Sequence, residues 1–108
     1  MKVFFRQAAA DDVARQFRYY LFTENLPEVA VRFRVAVQGT VDFLRQRPFV
    51  GPRYHSRETK LQSLRSWPVA GFEAIRLYYL LDKNTMQIIR VLHGKRDLSR
   101  ILERETTI

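Results

Sequence analysis

The chain has 108 residues, a length that suits one domain with a sizeable hydrophobic core. Nineteen basic and eleven acidic residues give a formal net charge of +8, and the 46% hydrophobic fraction is too high for a disordered tail. The lack of cysteine excludes disulfides and thiolate zinc sites, and two histidines are too few to predict a metal centre, so no metal and no cofactor is expected. No apolar run reaches the roughly 20 residues that span a bilayer, and MKVFFRQ turns polar too early for a signal peptide. A cytoplasmic protein without membrane contact is the expectation.

The N-terminal half predicts one strand and two helices. Residues 2–5 form a short strand candidate, and residues 8–23 and 28–47 then carry apolar side chains at helical spacing. The break TENLPE between them is short, which predicts an antiparallel helical hairpin. Pro27 suits the first turn of the second helix and Pro48 ends it. Asp11 and Asp12 are assigned to the early turns of the first helix, where the helix dipole favours them.

The C-terminal half predicts three strands and a last helix. Residues 48–60 have no period and are expected to form a loop, and the strand-like runs 61–67, 72–81 and 86–93 follow. Gly94 turns the chain, and Asp97 is a candidate N-cap for a short helix that reaches about residue 104. The resulting order β-α-α-β-β-β-α is an α+β fold, with a strand and helical hairpin packed on a mainly antiparallel sheet, in a single domain over 1–108.

The hairpin between the last two strands determines which side chains share a face of the sheet. A three-residue loop pairs Leu81 with Thr85 and needs Asn84 in the left-handed conformation. A two-residue loop would instead set Arg76 opposite Val91 and bury a charge, which costs several kcal/mol, so we prefer the longer loop. It gives a core face of Ile75, Leu77, Tyr79, Ile89 and Val91. The opposite face, half apolar and arginine-rich, then carries Ala74, Arg76, Tyr78, Leu80, Ile88, Arg90 and Leu92. We also expect Trp67 or Phe72 to anchor the sheet to a helix.

Several short motifs are spread over nearly the whole chain. They are Ala9 and Asp12-Val13 in the first helix, PEVAVRF opening the second, LR entering a strand, GF opening the next, YY within that strand, and HGKRD at the close of the last strand. Together these motifs resemble the toxins of type II toxin–antitoxin systems, the RelE/ParE superfamily, and most closely its ParE (plasmid stabilisation) branch.

The resemblance implies a toxin that inhibits DNA gyrase without catalytic activity of its own. It also implies a cognate antitoxin, whose acidic, amphipathic C-terminal segment wraps the toxin in a hetero-oligomer. A cationic, half-apolar face agrees with such a partner. The candidate residues for antitoxin or target binding are Arg76, Tyr78, Leu80, Ile88, Arg90, Leu92, Lys95, Arg96, Leu98, Ile101 and Leu102.

The alternative is a RelE-like nuclease that cleaves messenger RNA on the ribosome. That reaction needs a general base, a general acid and cations for the developing phosphorane charge. Arg65 and Arg96 would supply cations, and His93 would have to be the acid or base, because no tyrosine, histidine or lysine follows Lys95. His93 shares the parity of Val91, which favours a structural role. A basic binding module without toxicity is a third possibility, since neither reading explains the charge uniquely.

Overall fold

The computed structural model describes residues 1–54, 63–93 and Ile101. In chain order the elements are β1 (Lys2–Phe5), α1 (Gln7–Arg18) with a π-helical continuation (Tyr19–Thr23), α2 (Pro27–Gln46), β2 (Arg65–Val69), β3 (Phe72–Asp82) and β4 (Thr85–His93). The strands form a mixed sheet in the order β1-β4-β3-β2, with β1 parallel to β4 and the other neighbours antiparallel. The predicted α+β class is confirmed.

Both helices pack on the same face of this sheet, which we call the helix face. Burial follows the helical period along α2, where Ala30, Phe33, Val37, Val41 and Leu44 are almost fully buried and the opposite side of the helix is exposed. These side chains meet the alternate residues of the strands that point toward them. The core on this face contains Ala9, Phe33, Val37, Val41, Leu44, Val69, Ile75, Leu77, Tyr79, Met86, Ile88 and Val91.

Aromatic side chains tie the helices to the sheet. The Phe72 ring lies 5.4 Å from that of Phe33 and 5.8 Å from that of Tyr20, between centroids. The Trp67 ring stacks on Phe43 of α2 at 5.6 Å. The prediction that Trp67 or Phe72 anchors the sheet to a helix is therefore confirmed for both.

The predicted three-residue hairpin is wrong. The structure pairs Asp82 with Thr85 and Leu81 with Met86, so that only Lys83 and Asn84 form the loop. The left-handed residue is Lys83, with φ of 54°, and not Asn84.

A β-bulge explains how the short loop avoids burying an arginine. The register shifts by one residue between Tyr78 and Tyr79, where β4 carries Ile89 as the extra residue. Beyond the bulge Val91 pairs with Leu77 on the helix face and Arg90 pairs with Tyr78 on the opposite face, so Arg90 is the arginine that the bulge keeps off the helix face. The two-residue loop itself places Ile88 opposite Tyr79 in the core on the helix face, and Ile89 lies on the opposite face. Our assignment of these two isoleucines was therefore wrong.

A buried carboxylate joins α1 to the outer edge of β4. β1 pairs with β4 only as far as Ile88, and beyond it α1 runs along the edge. Asp12 accepts hydrogen bonds from the Val91 backbone N–H at 2.9 Å and from Arg90 Nε and Nη2 at 2.7 and 2.8 Å. Its side chain is only 3% exposed. Assigning Asp12 to the helix dipole was wrong, because it lies past the first turn and acts as a tertiary partner.

Most element boundaries agree with the sequence prediction. β1 is as predicted, α2 begins at Pro27, and the first helix does reach Thr23, although its last turn is π-helical. β2 starts at Arg65 and continues to Val69, two residues beyond the predicted end. Leu61, Gln62, the turn at Gly94 and the Asp97 cap lie outside the described residues. Ile101 is described as helical and half-buried.

Removing the Asp12 carboxylate is expected to be strongly destabilising. Asp12→Ala removes the carboxylate that accepts from the Arg90 guanidinium and the Val91 N–H, and breaking a buried pair in this way costs about 3–5 kcal/mol. Asp11→Ala is the matched control, because its exposed carboxylate accepts from the nearby Gln7 side chain and its loss should cost below about 0.5 kcal/mol. Urea unfolding of both variants measures the difference. Equal stabilities would show that the Asp12 network is dispensable.

Candidate binding surface

The side of the sheet without helices, which we call the far face, carries most of the predicted binding residues. By register it presents Phe4, Arg76, Tyr78, Leu80, Ile89, Arg90 and Leu92. Two parts of this face differ in exposure. The part over β2 and β3 is covered by the chain itself, whereas the part nearer β1 keeps apolar side chains at the surface.

Tyr54 and Leu64 cover the far face beside Tyr78. The Tyr54 N–H donates to the Leu64 carbonyl at 2.7 Å, and the Tyr54 ring packs edge-on against Tyr78 at 6.1 Å. Leu64 and Ile89 complete this small second core, in which Tyr78 is 3% exposed. Burial raises the pKa of Tyr78, with Arg76 acting in the opposite direction. Tyr78 is therefore a neutral, structural side chain at physiological pH.

Arg76 is fixed in position on the far face by a neutral acceptor. Its Nε and Nη2 atoms donate to Ser66 Oγ at 3.2 and 2.9 Å. Within the described part of the chain no carboxylate pairs with it. A held guanidinium that has no acidic partner is suited to binding a carboxylate of another molecule.

Two predicted binding residues have other roles. Ile88 is fully buried against the helices and cannot meet a partner on the far face. Arg90 points along the sheet to Asp12 and is 17% exposed, so its charge is already paired. The two-residue hairpin places Ile88 on the helix face, and the Asp12 contact holds Arg90. Neither feature follows from strand alternation alone.

Four residues that form or cover the far face were missed at the sequence level: Phe4, Ile89, Tyr54 and Leu64. Phe4 shares the far face with Leu80, because both residues pair with Gln87 of β4. The Phe4 side chain is 55% exposed. The sequence did indicate this position, because alternation along KVFF places Phe4 and the partly buried Val3 on opposite faces of the sheet. The positions of Tyr54 and Leu64 had no such signal, because they lie in or beside the loop.

A cavity of about 560 Å³ lies at the open end of β4, beside α1. Its lining combines polar groups of α1 with the last residues of β4 and with Ile101: Asp12, Arg15, Gln16, Tyr19, Val91, Leu92, His93 and Ile101. His93 is exposed here, so its predicted place in the core is wrong. Among the other C-terminal candidates, Lys95, Arg96, Leu98 and Leu102 lie outside the described residues.

The residues of the nuclease alternative are not brought together. Arg65 pairs with Tyr79 and His93 pairs with Ile75, so four residues of β3 and two strand spacings separate them, or about 16 Å between Cα atoms. Arg65 is also engaged, since its Nη1 donates to the Phe49 and Gly51 carbonyls at 3.3 and 2.7 Å. Arg96 lies outside the described residues.

Neither a metal cluster nor a membrane span is found in the part of the chain that the structure describes. No three histidine or acidic side chains lie close enough together there to bind an ion. No helix in those same ranges combines the length and apolarity needed to cross a bilayer.

Comparison with known proteins gives a consistent picture. The family model described as "ParE toxin of type II toxin-antitoxin system, parDE" matches residues 3–98. A structure of the chromosomal ParDE system from P. aeruginosa superposes with a TM-score of 0.61 at 19% identity, covering 88% of this chain and 97% of that one. A YoeB/ParE toxin from Agrobacterium tumefaciens gives a TM-score of 0.59 at 13% identity, covering 88% and 100%. No curated protein matches in sequence. At these identities the structural matches establish the fold.

Proposed function

The chain belongs to the ParE toxin family of type II toxin–antitoxin systems, and from that premise we propose that it inhibits DNA gyrase by binding, without chemistry of its own. We propose that the whole chain acts as one toxin domain in the cytoplasm. The family match over residues 3–98 is the observation that carries this proposal. The separation of Arg65 from His93 adds support, because general acid–base catalysis needs its groups within hydrogen-bond reach of one substrate.

A gyrase assay with purified protein tests the proposal. Supercoiling by gyrase should be blocked, or cleaved DNA should accumulate, while messenger RNA on translating ribosomes stays intact. The matched control is the same assay on the protein heated beyond its unfolding transition. Cleaved messenger RNA with normal supercoiling would replace the proposal with the ribosome-dependent nuclease alternative.

We propose further that a cognate antitoxin neutralises the toxin by laying an acidic, amphipathic segment on the far face. The apolar side chains that reach the surface there are Phe4, which is exposed, and Leu80 and Leu92, which are half-buried. Arg76 stands beside Leu92, its partner in the register, and offers a positioned cation. An amphipathic segment with an apolar side and carboxylates matches this combination, and the net charge of +8 favours its approach.

Reversing the charge of Arg76 tests this contact. Arg76→Glu should weaken binding of the antitoxin encoded beside the toxin gene by at least about 1.5 kcal/mol, roughly tenfold in Kd. Arg32→Glu makes the same charge change on an exposed position of α2 and should leave the Kd within about twofold. Calorimetric titration measures both, after thermal unfolding confirms that each variant is folded. If the two variants lose affinity equally, only net charge matters and the far-face site is wrong.

A further inference from the structure

The loop of residues 48–52 follows α2 and exposes two apolar side chains. It is followed by Arg53, which forms an isolated β-bridge with Arg65 of β2. Phe49 is 71% exposed and Val50 is 39% exposed. Only Phe22 exposes a larger fraction among the large hydrophobic side chains of the described residues. A ring in this position adds little hydrophobic stabilisation to the fold, since most of its surface remains in water.

The backbone of this loop is nevertheless firmly held. Tyr79 Oη donates to the Pro48 carbonyl at 2.8 Å and accepts from the Gly51 N–H at 3.1 Å. Arg65 Nη1 donates to the carbonyls of Phe49 and Gly51. Tyr79 of β3 and Arg65 of β2 therefore hold the loop against the sheet.

Glycine is required at position 51 by this close packing. A Cβ there would lie 2.7 Å from the Ser66 carbonyl oxygen and would also collide with the Tyr79 hydroxyl. Pro48 and Pro52 restrict the chain on both sides. The backbone that carries Phe49 is therefore held in place before any partner binds, which lowers the entropy lost on binding.

We propose that Phe49, with Val50 beside it, is an anchor that inserts into an apolar pocket with an acidic rim on the protein target of the toxin. Exposed aromatic side chains on rigid supports are the usual centres of binding energy in protein interfaces. The partner is the target and not the antitoxin, because Tyr79 and Arg65 hold the loop from the helix side of the sheet, away from the far face. This inference rests on the proposed function, under which the target is gyrase.

The positive charge around the loop supports an acidic rim on the pocket of the target. Arg47 and Arg53 flank the loop in the sequence, the Arg65 guanidinium lies over the Phe49 ring, and the sequence has no acidic residue between Asp42 and Glu58. Charges around a buried anchor direct the encounter and select the partner.

The ring geometry favours protein over nucleic acid. The Arg65 guanidinium lies over the Phe49 ring, 5.3 Å from its centroid, and is fixed there by its two carbonyl acceptors. One face of the ring is thus covered. A wedge between stacked bases needs both faces, whereas a pocket can receive the free face and edge.

The experiment compares two exposed phenylalanines. Phe49→Ala should raise the Kd for the isolated gyrase holoenzyme about 30-fold, the effect of losing an interface anchor. Phe22→Ala removes an equally exposed ring at 73% and should change the Kd by less than about twofold. Both thermal midpoints should stay at the wild-type value, since neither ring is buried. Tyr79→Phe keeps Phe49 but frees the loop, so it should weaken gyrase binding by an intermediate factor.

Two controls keep this inference separate from the proposed function. Induced expression of each variant reports growth arrest whatever the target is. If the wild type arrests growth without binding gyrase, the proposed function fails, and the anchor stands when Phe49→Ala alone relieves the arrest. Arrest by Phe49→Ala at the wild-type level overturns it. Equal effects of Phe49→Ala and Phe22→Ala also overturn it, as does a selective loss of affinity for a 20-base-pair DNA duplex with unchanged affinity for gyrase.

Discussion

The structure depends on one carboxylate that takes the place of a strand. β1 covers the outer edge of β4 only to Ile88, and the edge beyond it would offer an unpaired backbone N–H at Val91. Asp12 accepts from that N–H and from the Arg90 guanidinium, and Arg15 reaches it from the surface at 3.3 Å. The helix thereby closes an edge that no strand closes. A buried pair of this kind adds little net stability compared with apolar residues, but it specifies where α1 must lie.

The position of α1 in turn determines what the sheet leaves accessible. Because both helices lie on the helix face and α1 runs along β4, the cavity beside His93 and the exposed Phe4 side chain remain at the surface. Two arginines that sequence reasoning offered for binding or catalysis serve the fold instead, Arg90 at Asp12 and Arg65 at the loop after α2. These structural roles agree with the proposal that the protein acts by binding.

The sequence predicted elements far better than it predicted tertiary contacts. Helical spacing and proline positions gave α2 from its first turn, and alternation gave three of the strands nearly to their ends. The bulge at Ile89 could not be read in this way, because an extra residue has no periodic signature. Arg76 does lie off the helix face, but the loop has two residues and not three, and the bulge keeps Arg90 off that face. The Asp12–Arg90 pair joins residues 78 apart, and a single sequence contains no information on that pairing.

Hydrogen exchange at the Val91 amide tests most directly whether the Asp12 carboxylate closes the edge of β4. An amide on an open sheet edge exchanges through local fluctuations of small free energy, whereas a core amide waits for global unfolding. The account predicts that the Val91 amide exchanges as slowly as the amides between β3 and β4. Exchange at the rate of a solvent-exposed amide, in a protein that is otherwise protected, would contradict it.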